Sequence, residues 1–382
     1  MKKRFNFFLL CFFQFVQLHA QEPGCGLRIT LLTCAPGTEL YSTFGHTAIR
    51  VQDSLTGGDQ VFNYGTFEFE PGFYVKFIRG KLMYSLAVEN FEDFLYTYQY
   101  ESRSIVEQEL ILNCEQKKEL FTALMINSRE ENRYYRYDFL YDNCTTRARD
   151  MVKKQAGVNV VFRNILGDEK PSFRNLIHSY LDAGEQHWSK LGIDILLGAR
   201  LDRKVTNEEA MFLPDYLLKG FDSASTGSNS ALVKPVQKVL TMPAPFEKGF
   251  RITPFMVFAV LLIIIGFISL KGNRNSVLLK TFDRIFFFLL GFTGLFLLFM
   301  WFGTDHRVAR DNLNLLWAWP THIYVAFVVN SKRKWLRNYF RFNMILSILL
   351  LLCWFFLPQQ LNPALIPIVL ILVIRTWVLS KY

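Results

Sequence analysis

Hydrophobic residues are unevenly distributed along this chain, and their distribution is the strongest constraint on its fold. From Ile252 onward, long apolar runs alternate with short loops rich in Lys and Arg. Because about 20 consecutive apolar residues cross a bilayer as a helix, this last third of the chain predicts an all-α transmembrane domain over residues 251–382. Five spans are predicted, near residues 252–270, 285–302, 313–330, 342–358 and 363–379.

The charges of the loops between these spans predict the topology. Loops 271–284 and 331–341 contain four and five Lys or Arg residues, whereas loops 303–312 and 358–363 contain two and none. Basic loops remain in the cytoplasm, so the first span runs from outside to inside and the segment before it is exported. The Thr304-Asp305-His306 segment then lies on the exported side, as an ordinary polar loop or as a contact for a head group or the exported domain.

The amino terminus predicts export independently. A basic segment from Lys2 to Arg4 precedes an apolar stretch, and the Leu-His-Ala sequence at 18–20 suits a cleavage site. We expect residues 1–20 to be a secretory signal peptide, with an uncleaved anchor as the alternative. Both alternatives export the domain that follows.

Composition argues against several other classes of function. The net charge is +10, but many of the basic residues lie in the loops beside the apolar spans. The sequence has no Gly-rich phosphate loop and no platform of aromatic and basic residues, so nucleic-acid binding is not expected. No Cys or His spacing suits a structural zinc site, and neither a metal nor a cofactor is predicted. A disulfide between Cys25 and Cys34 is not expected, because the intervening residues read as one extended strand.

Residues 21–221 predict an exported α+β domain with a small antiparallel sheet. Residues 222–250 are rich in Ser, Gly, Ala and Pro and predict a linker to the membrane domain. The predicted strands are Leu27–Thr33, Thr47–Asp53, Val61–Tyr64, 81–88 and 103–112, and the predicted helices are Phe91–Tyr100, Cys114–Ile126, Thr145–Gln155 and most of 172–220.

Cys144 is the candidate nucleophile. Asn143 is a good N-cap, so Cys144 falls in the first turn of a helix, beside free N–H groups and the positive end of the helix dipole. Arg147 lies one turn further on. These features favour the thiolate, which is the reactive form of cysteine. For an isolated Asn-Cys pair, an inert buried cysteine is the commoner interpretation.

His46 changes that balance. It follows Gly45 at the start of a predicted strand, where an imidazole can be held rigidly enough to act as a general base. A Cys–His pair is the minimum for thiol acyl transfer. The order, His before Cys, is the reverse of papain and matches the circularly permuted papain-like enzymes, a group that includes lecithin:retinol acyltransferase-like proteins.

A third group should orient the imidazole. If the hairpin turn centres on Gly57, His46 faces Glu68 and Val51 faces Asn63. Glu68 is the first candidate and Asn63 the second, and a one-residue slip in register would replace Glu68 by Phe67. The backbone N–H of Cys144 and one side chain, for which Tyr41 is a guess, would stabilise an oxyanion.

Longer runs are more specific than either dipeptide. They are LLTCAPGTELYSTFGHTAIRV (31–51), FNYGTF (62–67), NRYYRYDFLYDNCTTR (132–147) and FLPDYL (212–217). These runs resemble the Lnb family of lipoprotein N-acyltransferases of the Bacteroidota, and the membrane tail has a similar layout. By the matching motifs, the resemblance places the family's histidine on His46 and its cysteine on Cys144.

The resemblance implies transfer of a fatty acyl chain from a phospholipid to the N-terminal amine of a diacylglyceryl-cysteine lipoprotein, through a thioester on Cys144. It also implies a multi-pass protein of the bacterial inner membrane with its catalytic domain in the periplasm. Two alternatives remain open: a cysteine peptidase or amidase acting on cell-wall peptides, and a non-catalytic membrane-anchored binding module.

Overall fold

The computed structural model describes residues 25–67, 71–155, 160–226, 230–243, 249–271 and 276–381. The predicted signal peptide, residues 1–20, lies outside the described residues, and so does Glu68. The predicted class, an α+β domain followed by an all-helical membrane domain, is confirmed.

In the described residues, the exported domain is built on a seven-stranded sheet in which neighbouring strands are antiparallel. Along the sheet the strand order is β6-β4-β3-β2-β1-β5-β7. The strands are β1 (Leu27–Cys34), β2 (His46–Asp53), β3 (Gly58–Thr66), β4 (Met83–Asn90), β5 (Ile105–Glu109), β6 (Tyr134–Arg136) and β7 (Gln237–Leu240).

Helices cover both faces of this sheet because apolar side chains alternate along its strands. Ile49 and Phe62 face one side with the helices that follow β5 and β6, whereas Ala48 and Val61 face the other side with the helix that follows β4. The helices of this domain are α1 (Phe73–Ile78), α2 (Phe91–Tyr100), α3 (Cys114–Asn127), α4 (Cys144–Gln155), α5 (Phe173–Ala183), α6 (His187–Leu196), α7 (Asn207–Ala210) and α8 (Pro214–Asp222).

The predicted linker is wrong for part of its length. Within 222–250, Leu232 and Val233 are buried in the exported domain, and β7 pairs with the edge strand β5. The prediction failed because the composition of the segment is polar overall, although it contains the apolar pair Leu232-Val233. By pairing with β5, strand β7 covers an edge that would otherwise expose unpaired backbone groups. The exported domain therefore extends to at least Leu240.

The membrane domain contains four helices that are long and apolar enough to cross a bilayer, among the described residues. The third predicted span, 313–330, is not a continuous helix. It consists of a 3₁₀ turn at Leu313–Leu316 and a seven-residue helix, separated by a break that contains Pro320, which lacks an N–H to continue a helix. The helices are α9 (Pro254–Lys271), α10 (Val277–Phe302), α11 (His322–Val328), α12 (Lys334–Cys353) and α13 (Ile366–Ser380).

This broken segment still runs from one end of the membrane domain to the other. Asn314 donates to the backbone of Asp194 in the exported domain, and Asn330 donates to the carbonyl of Lys280 at the start of α10. Irregular backbone is tolerated at membrane depth where protein covers it. The cover is α10, which approaches so closely that a Cβ at Gly291 would collide with the backbone of Ile323.

One end of the sheet faces the membrane domain, where Arg136 of β6 forms an ion pair with Asp305 at 3.8 Å. The residues there are His46 at the start of β2, Thr66 at the end of β3 and Leu240 at the end of β7, from which the chain leads to α9. At the opposite end of the sheet lies the turn between β2 and β3, with Leu55 at its tip. The fold thus places the candidate histidine on the membrane side of the exported domain.

A buried polar network joins the two domains. Asp194 in α6 binds the Nη1 of Arg174 at 2.7 Å and Nε2 of His178 at 2.8 Å. Its other carboxylate oxygen accepts a 2.9 Å hydrogen bond from Asn362, which precedes α13. Because Asp194 and Arg174 are both buried, this network fixes α6 against the membrane helices.

Candidate active site

The predicted cap of the nucleophile helix is confirmed. The Asn143 side-chain oxygen accepts hydrogen bonds from the N–H groups of Thr145 and Thr146, at 2.9 and 2.8 Å. Its amide nitrogen donates to the carbonyls of Phe139 and Phe212, both at 2.8 Å. Asn143 is buried, so these four contacts hold the first turn of α4, and with it Cys144, in one position.

His46 opens β2, opposite Cys34 of β1. The preceding Gly45 has φ +76°, a conformation that side chains rarely adopt, and a Cβ there would lie 2.7 Å from the Cys34 carbonyl oxygen. Only glycine therefore lets the chain enter β2 at this angle. The Gly-His dipeptide singled out in the sequence is a geometric requirement of the strand start.

Asn63 is the residue that contacts the imidazole. Its Oδ1 lies 2.6 Å from Nε2 of His46, which leaves Nδ1 of the ring for the thiol of Cys144. The amide nitrogen of Asn63 donates a 3.0 Å hydrogen bond to Oε1 of Glu89 in β4. The Glu89 carboxylate thus orients the Asn63 amide, and the Asn63 amide orients the imidazole ring of His46.

The predicted hairpin register is wrong by three residues. Ile49 pairs with Phe62, so Asn63 lies opposite Ala48 and not opposite Val51. The reason is the turn: the Asp53 carboxylate accepts hydrogen bonds from Leu55 and Thr56, which centres the turn on these two residues and not on Gly57. The observed register places Asn63 on the same face of the sheet as His46.

Cys144 and His46 shift each other's pKa through a side-chain hydrogen bond and through their charges. Burial favours the neutral thiol. The charge of His46, together with hydrogen bonds from His46, the Thr47 backbone and Thr145, outweighs burial and lowers the pKa of Cys144 from its ordinary 9.0 to about 7. For His46, burial acts to lower the pKa, but the Cys144 charge and the hydrogen bonds that the ring makes to Cys144 and Asn63 raise it overall. Each member of the pair favours the charged form of the other.

Arg147 does not have the predicted role beside the thiol. Its guanidinium forms a bidentate ion pair with Asp142, at 2.6 and 2.9 Å, and lies 3.5 Å from the centre of the Tyr135 ring. The Asp142 charge balances that of Arg147. His46, and not Arg147, provides the positive charge that acts on the thiol.

A small space opens beside the nucleophile at Gly65. This residue sits at a bulge in β3 with φ +90°, and a Cβ there would lie 3.4 Å from Cβ of Cys144 and 4.0 Å from the hydroxyl of Tyr135. The Tyr135 hydroxyl is buried and has no hydrogen-bond partner among the described residues. Tyr41, the guess for this role, is 71% exposed at the surface.

Two family models match the chain. The Lnb N-terminal periplasmic domain matches residues 17–176, and the Lnb transmembrane domain matches residues 245–382. The chain belongs to the Lnb family. No curated protein and no solved structure gives a significant match. Membership in the Lnb family makes this a membrane protein whose amino-terminal domain is periplasmic.

Two residues of this Lnb site were missed by sequence reasoning. Glu89 lies next to Val61 across the β3–β4 ladder, and a correct register for both hairpins would have been needed to find it. Tyr135 belongs to the aromatic run before Cys144, which gave no reason to choose one tyrosine over another. Glu68 lies outside the described residues, so its predicted role stays a prediction.

Proposed function

We propose that this protein is a lipoprotein N-acyltransferase of the bacterial inner membrane. It takes a fatty acyl chain from a phospholipid and transfers it to the N-terminal amine of a diacylglyceryl-cysteine lipoprotein. The observation that carries the proposal is the Cys144–His46 pair, which lies at the end of the sheet that faces the membrane domain. A thiol nucleophile in this position can meet substrates that remain in the bilayer.

In the first half-reaction, His46 accepts the proton of Cys144 and the thiolate attacks the ester carbonyl carbon of the phospholipid. A carbon–sulfur bond forms, the carbon–oxygen bond of the ester breaks, and His46 gives its proton to the departing lysophospholipid alcohol. The acyl chain is then held on Cys144 as a thioester. Asn63 and Glu89 act as positioning residues, because they hold the ring without touching the thiol.

The tetrahedral intermediate carries a negative oxygen that needs hydrogen-bond donors. The backbone N–H of Cys144 has no partner among the described residues and sits in the first turn of α4, where the helix dipole favours negative charge. The hydroxyl of Tyr135 borders the same space at Gly65. We assign these two groups as the oxyanion donors.

In the second half-reaction, the free amine of the diacylated lipoprotein attacks the thioester carbonyl. A carbon–nitrogen bond forms, the carbon–sulfur bond breaks, and His46 accepts a proton from the amine as the thiolate leaves. The products are an amide on the lipoprotein and the regenerated Cys144–His46 pair. Membrane helices keep both lipid substrates at high local concentration beside the site.

Intact-mass analysis of the detergent-purified protein tests the proposal. After incubation with phospholipid, the wild type is expected to gain one fatty acyl group that hydroxylamine removes, and Cys144→Ser is expected to gain none. Addition of a diacylated lipopeptide should discharge the acyl group and yield the triacylated product.

The same experiment separates the alternatives. If the wild type gains no acyl group and Cys144→Ser loses cellular function, a peptidase or amidase acting on cell-wall peptides is favoured. If there is no acyl group and Cys144→Ser retains function, the protein is a non-catalytic binding module. Either result would contradict the acyltransferase proposal.

A further inference from the structure

Helix α1 presents an exposed apolar surface. Its side chains Tyr74, Val75, Phe77 and Ile78 are 71%, 62%, 51% and 40% exposed, and none of its six residues is buried. Apolar side chains that cluster in this way usually mark a site that another molecule or a membrane covers. We call these four residues the α1 surface.

The backbone of α1 is attached to the membrane domain. Nε2 of His306 lies 3.0 Å from the carbonyl oxygen of Phe77, and the N–H of Asp305 donates a 3.0 Å hydrogen bond to the carbonyl of Arg79. His306 and Asp305 directly follow α10, one of the four helices that can cross the bilayer. Helix α1 therefore lies beside the end of a helix that can cross the bilayer, the depth at which lipid head groups are expected.

The sequence around the α1 surface suits that depth. Lys76, Arg79 and Lys81 are exposed beside the aromatic and aliphatic side chains. Aromatic rings with basic residues next to them are typical of segments that lie in a membrane interface, where the cations meet lipid phosphates. A lipid bilayer is thus the surface whose chemistry matches both the apolar side chains and the basic residues of α1.

A continuous row of aromatic rings leads from α1 toward the nucleophile. The ring centre of Phe73 in α1 lies 5.5 Å from that of Phe67, and Phe67 lies 5.3 Å from Tyr84. Tyr84 stacks on Tyr137 at 4.2 Å. Tyr84, Tyr137 and Cys144 pack against the same buried cluster on one face of the sheet. We call Phe73, Phe67, Tyr84 and Tyr137 the aromatic path.

We propose that the α1 surface is immersed in the periplasmic leaflet and that the aromatic path holds the acyl chain of the phospholipid donor as its ester reaches Cys144. This inference rests on the proposed acyltransferase function and adds the place where the donor enters. Aromatic rings provide a wide apolar contact for a flexible hydrocarbon chain, and the basic residues of α1 retain the phosphate in the head-group region.

A photoreactive residue tests the location of each part. p-Benzoylphenylalanine replaces Tyr74, Phe67 or Leu55 in the full chain, which is reconstituted in phosphatidylethanolamine and phosphatidylglycerol vesicles and irradiated. Leu55 is the matched control, because it is 77% exposed but lies at the far end of the sheet. Phospholipid adducts are expected at positions 74 and 67 and not at 55.

An adduct at neither position 74 nor position 67 would overturn the inference. An adduct at 74 alone would overturn the aromatic path and keep the membrane contact. These outcomes do not depend on turnover, so they stand even if the proposed function fails. That failure would be recognised separately, by the absence of an acyl group on Cys144 in the wild type.

A kinetic test uses the double variant Tyr74→Ser, Val75→Ser. Its Cys144 is expected to be acylated from vesicles at least tenfold more slowly than in the wild type, whereas Leu55→Ser is expected to match the wild type. Alkylation of Cys144 by iodoacetamide, which needs no lipid, reports whether the thiol and His46 remain paired. Equal acylation rates in the double variant and the wild type would contradict the role of the α1 surface.

A different observation carries a second inference, about Cys25 and Cys114. In the antiparallel pair β1–β5, Thr30 lies opposite Glu109, and the N–H of Leu110 donates to the carbonyl of Ile29. Cys25 lies two residues before β1 and Cys114 begins α3, so both stand just beyond the last paired residues at the same end of the sheet. Neither thiol is part of a disulfide in the structure; burial acts to raise the pKa of Cys25, but a hydrogen bond with the Cys114 side chain lowers it, so the two sulfur atoms are close enough to form a disulfide.

We infer that Cys25 and Cys114 form a disulfide in the periplasm. The two thiols lose their protons and two electrons to the disulfide of a thiol–disulfide exchange partner, which leaves as a dithiol. The bond would tie the beginning of β1 to the beginning of α3. Cys34 stays reduced, because it is buried on the other face of the sheet.

Peptide mapping tests this second inference. The full-length protein in detergent is equilibrated with oxidised and reduced glutathione, quenched in acid, denatured and alkylated before digestion. The peptides with Cys25 and Cys114 are expected to be linked and to separate only on reduction, and Cys114→Ser should leave Cys25 alkylated. Alkylation of both residues in the unreduced wild type would overturn the disulfide.

Discussion

The Nε2 atom of His46 lies 2.6 Å from Oδ1 of Asn63, and this contact determines which ring nitrogen meets the thiol. An amide oxygen can only accept, so Nε2 carries a hydrogen and Nδ1 is the atom that exchanges a proton with Cys144. Asn63 is itself oriented by Glu89, which accepts from its amide nitrogen. The tautomer that a general base needs is therefore set by Asn63 and Glu89, two side chains of the sheet that do not contact the nucleophile.

Asn63→Ala should weaken this arrangement without removing the catalytic pair. The hydrogen bond that His46 donates to Asn63 contributes to the raised pKa of His46, so its loss lowers that pKa and provides less positive charge to the thiolate. The rate of Cys144 acylation is expected to fall by about tenfold, less than the loss of about a hundredfold or more expected when the general base itself is removed. Acyl-enzyme formation by intact mass measures it, with the exposed Gln99→Ala as the control. An unchanged rate in Asn63→Ala would contradict the positioning role.

The pH dependence of alkylation should report the coupled pair. The pKa of Cys144 is lowered to about 7, so the reactive thiolate is expected to appear as pH rises through about 7 and not near the ordinary 9.0. His46→Ala removes the charge and hydrogen bond that lower this pKa while burial remains. Iodoacetamide alkylation of Cys144 in that variant is therefore expected to require a clearly higher pH. Identical profiles for the two proteins would show that His46 does not act on the thiol.

Tyr135→Phe tests the assigned oxyanion donor. The substitution keeps the ring on which Arg147 lies and removes only the hydroxyl beside Gly65. Loss of one oxyanion donor lowers acyl transfer by about a hundredfold or more. Iodoacetamide alkylation has no such intermediate, so it should stay at the wild-type rate. A variant that acylates at the wild-type rate would exclude the hydroxyl from the mechanism.

The sequence predicted the parts of this protein that depend on local pattern. Asn143 before Cys144, and Gly45 before His46, are short signals whose physical reasons lie within a few residues, and both were found at the expected elements. The helix at Phe91–Tyr100 and the capped helix from Cys114 were predicted within a residue or two for the same reason. Local geometry leaves few alternatives at such positions.

The parts that failed depend on pairing across the sheet or between domains. The partner of His46 required the hairpin register, which the Asp53 side chain determines by closing the turn early. The break in the third membrane segment is stable because α10 covers it at Gly291, a contact that no local pattern reveals. The covering role of β7 likewise depends on an edge strand more than a hundred residues earlier.

Asp194→Ala should loosen the connection between the periplasmic and membrane domains. Among the described residues, the substitution leaves the buried guanidinium of Arg174 with Asp202 alone as an acidic partner, and it removes the carboxylate that Asn362 binds. Loss of one member of a buried ion pair costs about 3–5 kcal/mol. Asp182→Ala is the matched control, since its pair with Lys190 is exposed and contributes at most about 1 kcal/mol. Thermal unfolding in detergent should show a large fall in Tm for Asp194→Ala and little change for Asp182→Ala.

Burial raises the pKa of Asp194, but His178 and Arg174 outweigh it and hold that pKa below its ordinary 3.8. The stabilisation is therefore present at neutral pH and should be lost only as pH falls below that value. Equal Tm values for the two variants at pH 7 would contradict this role for Asp194.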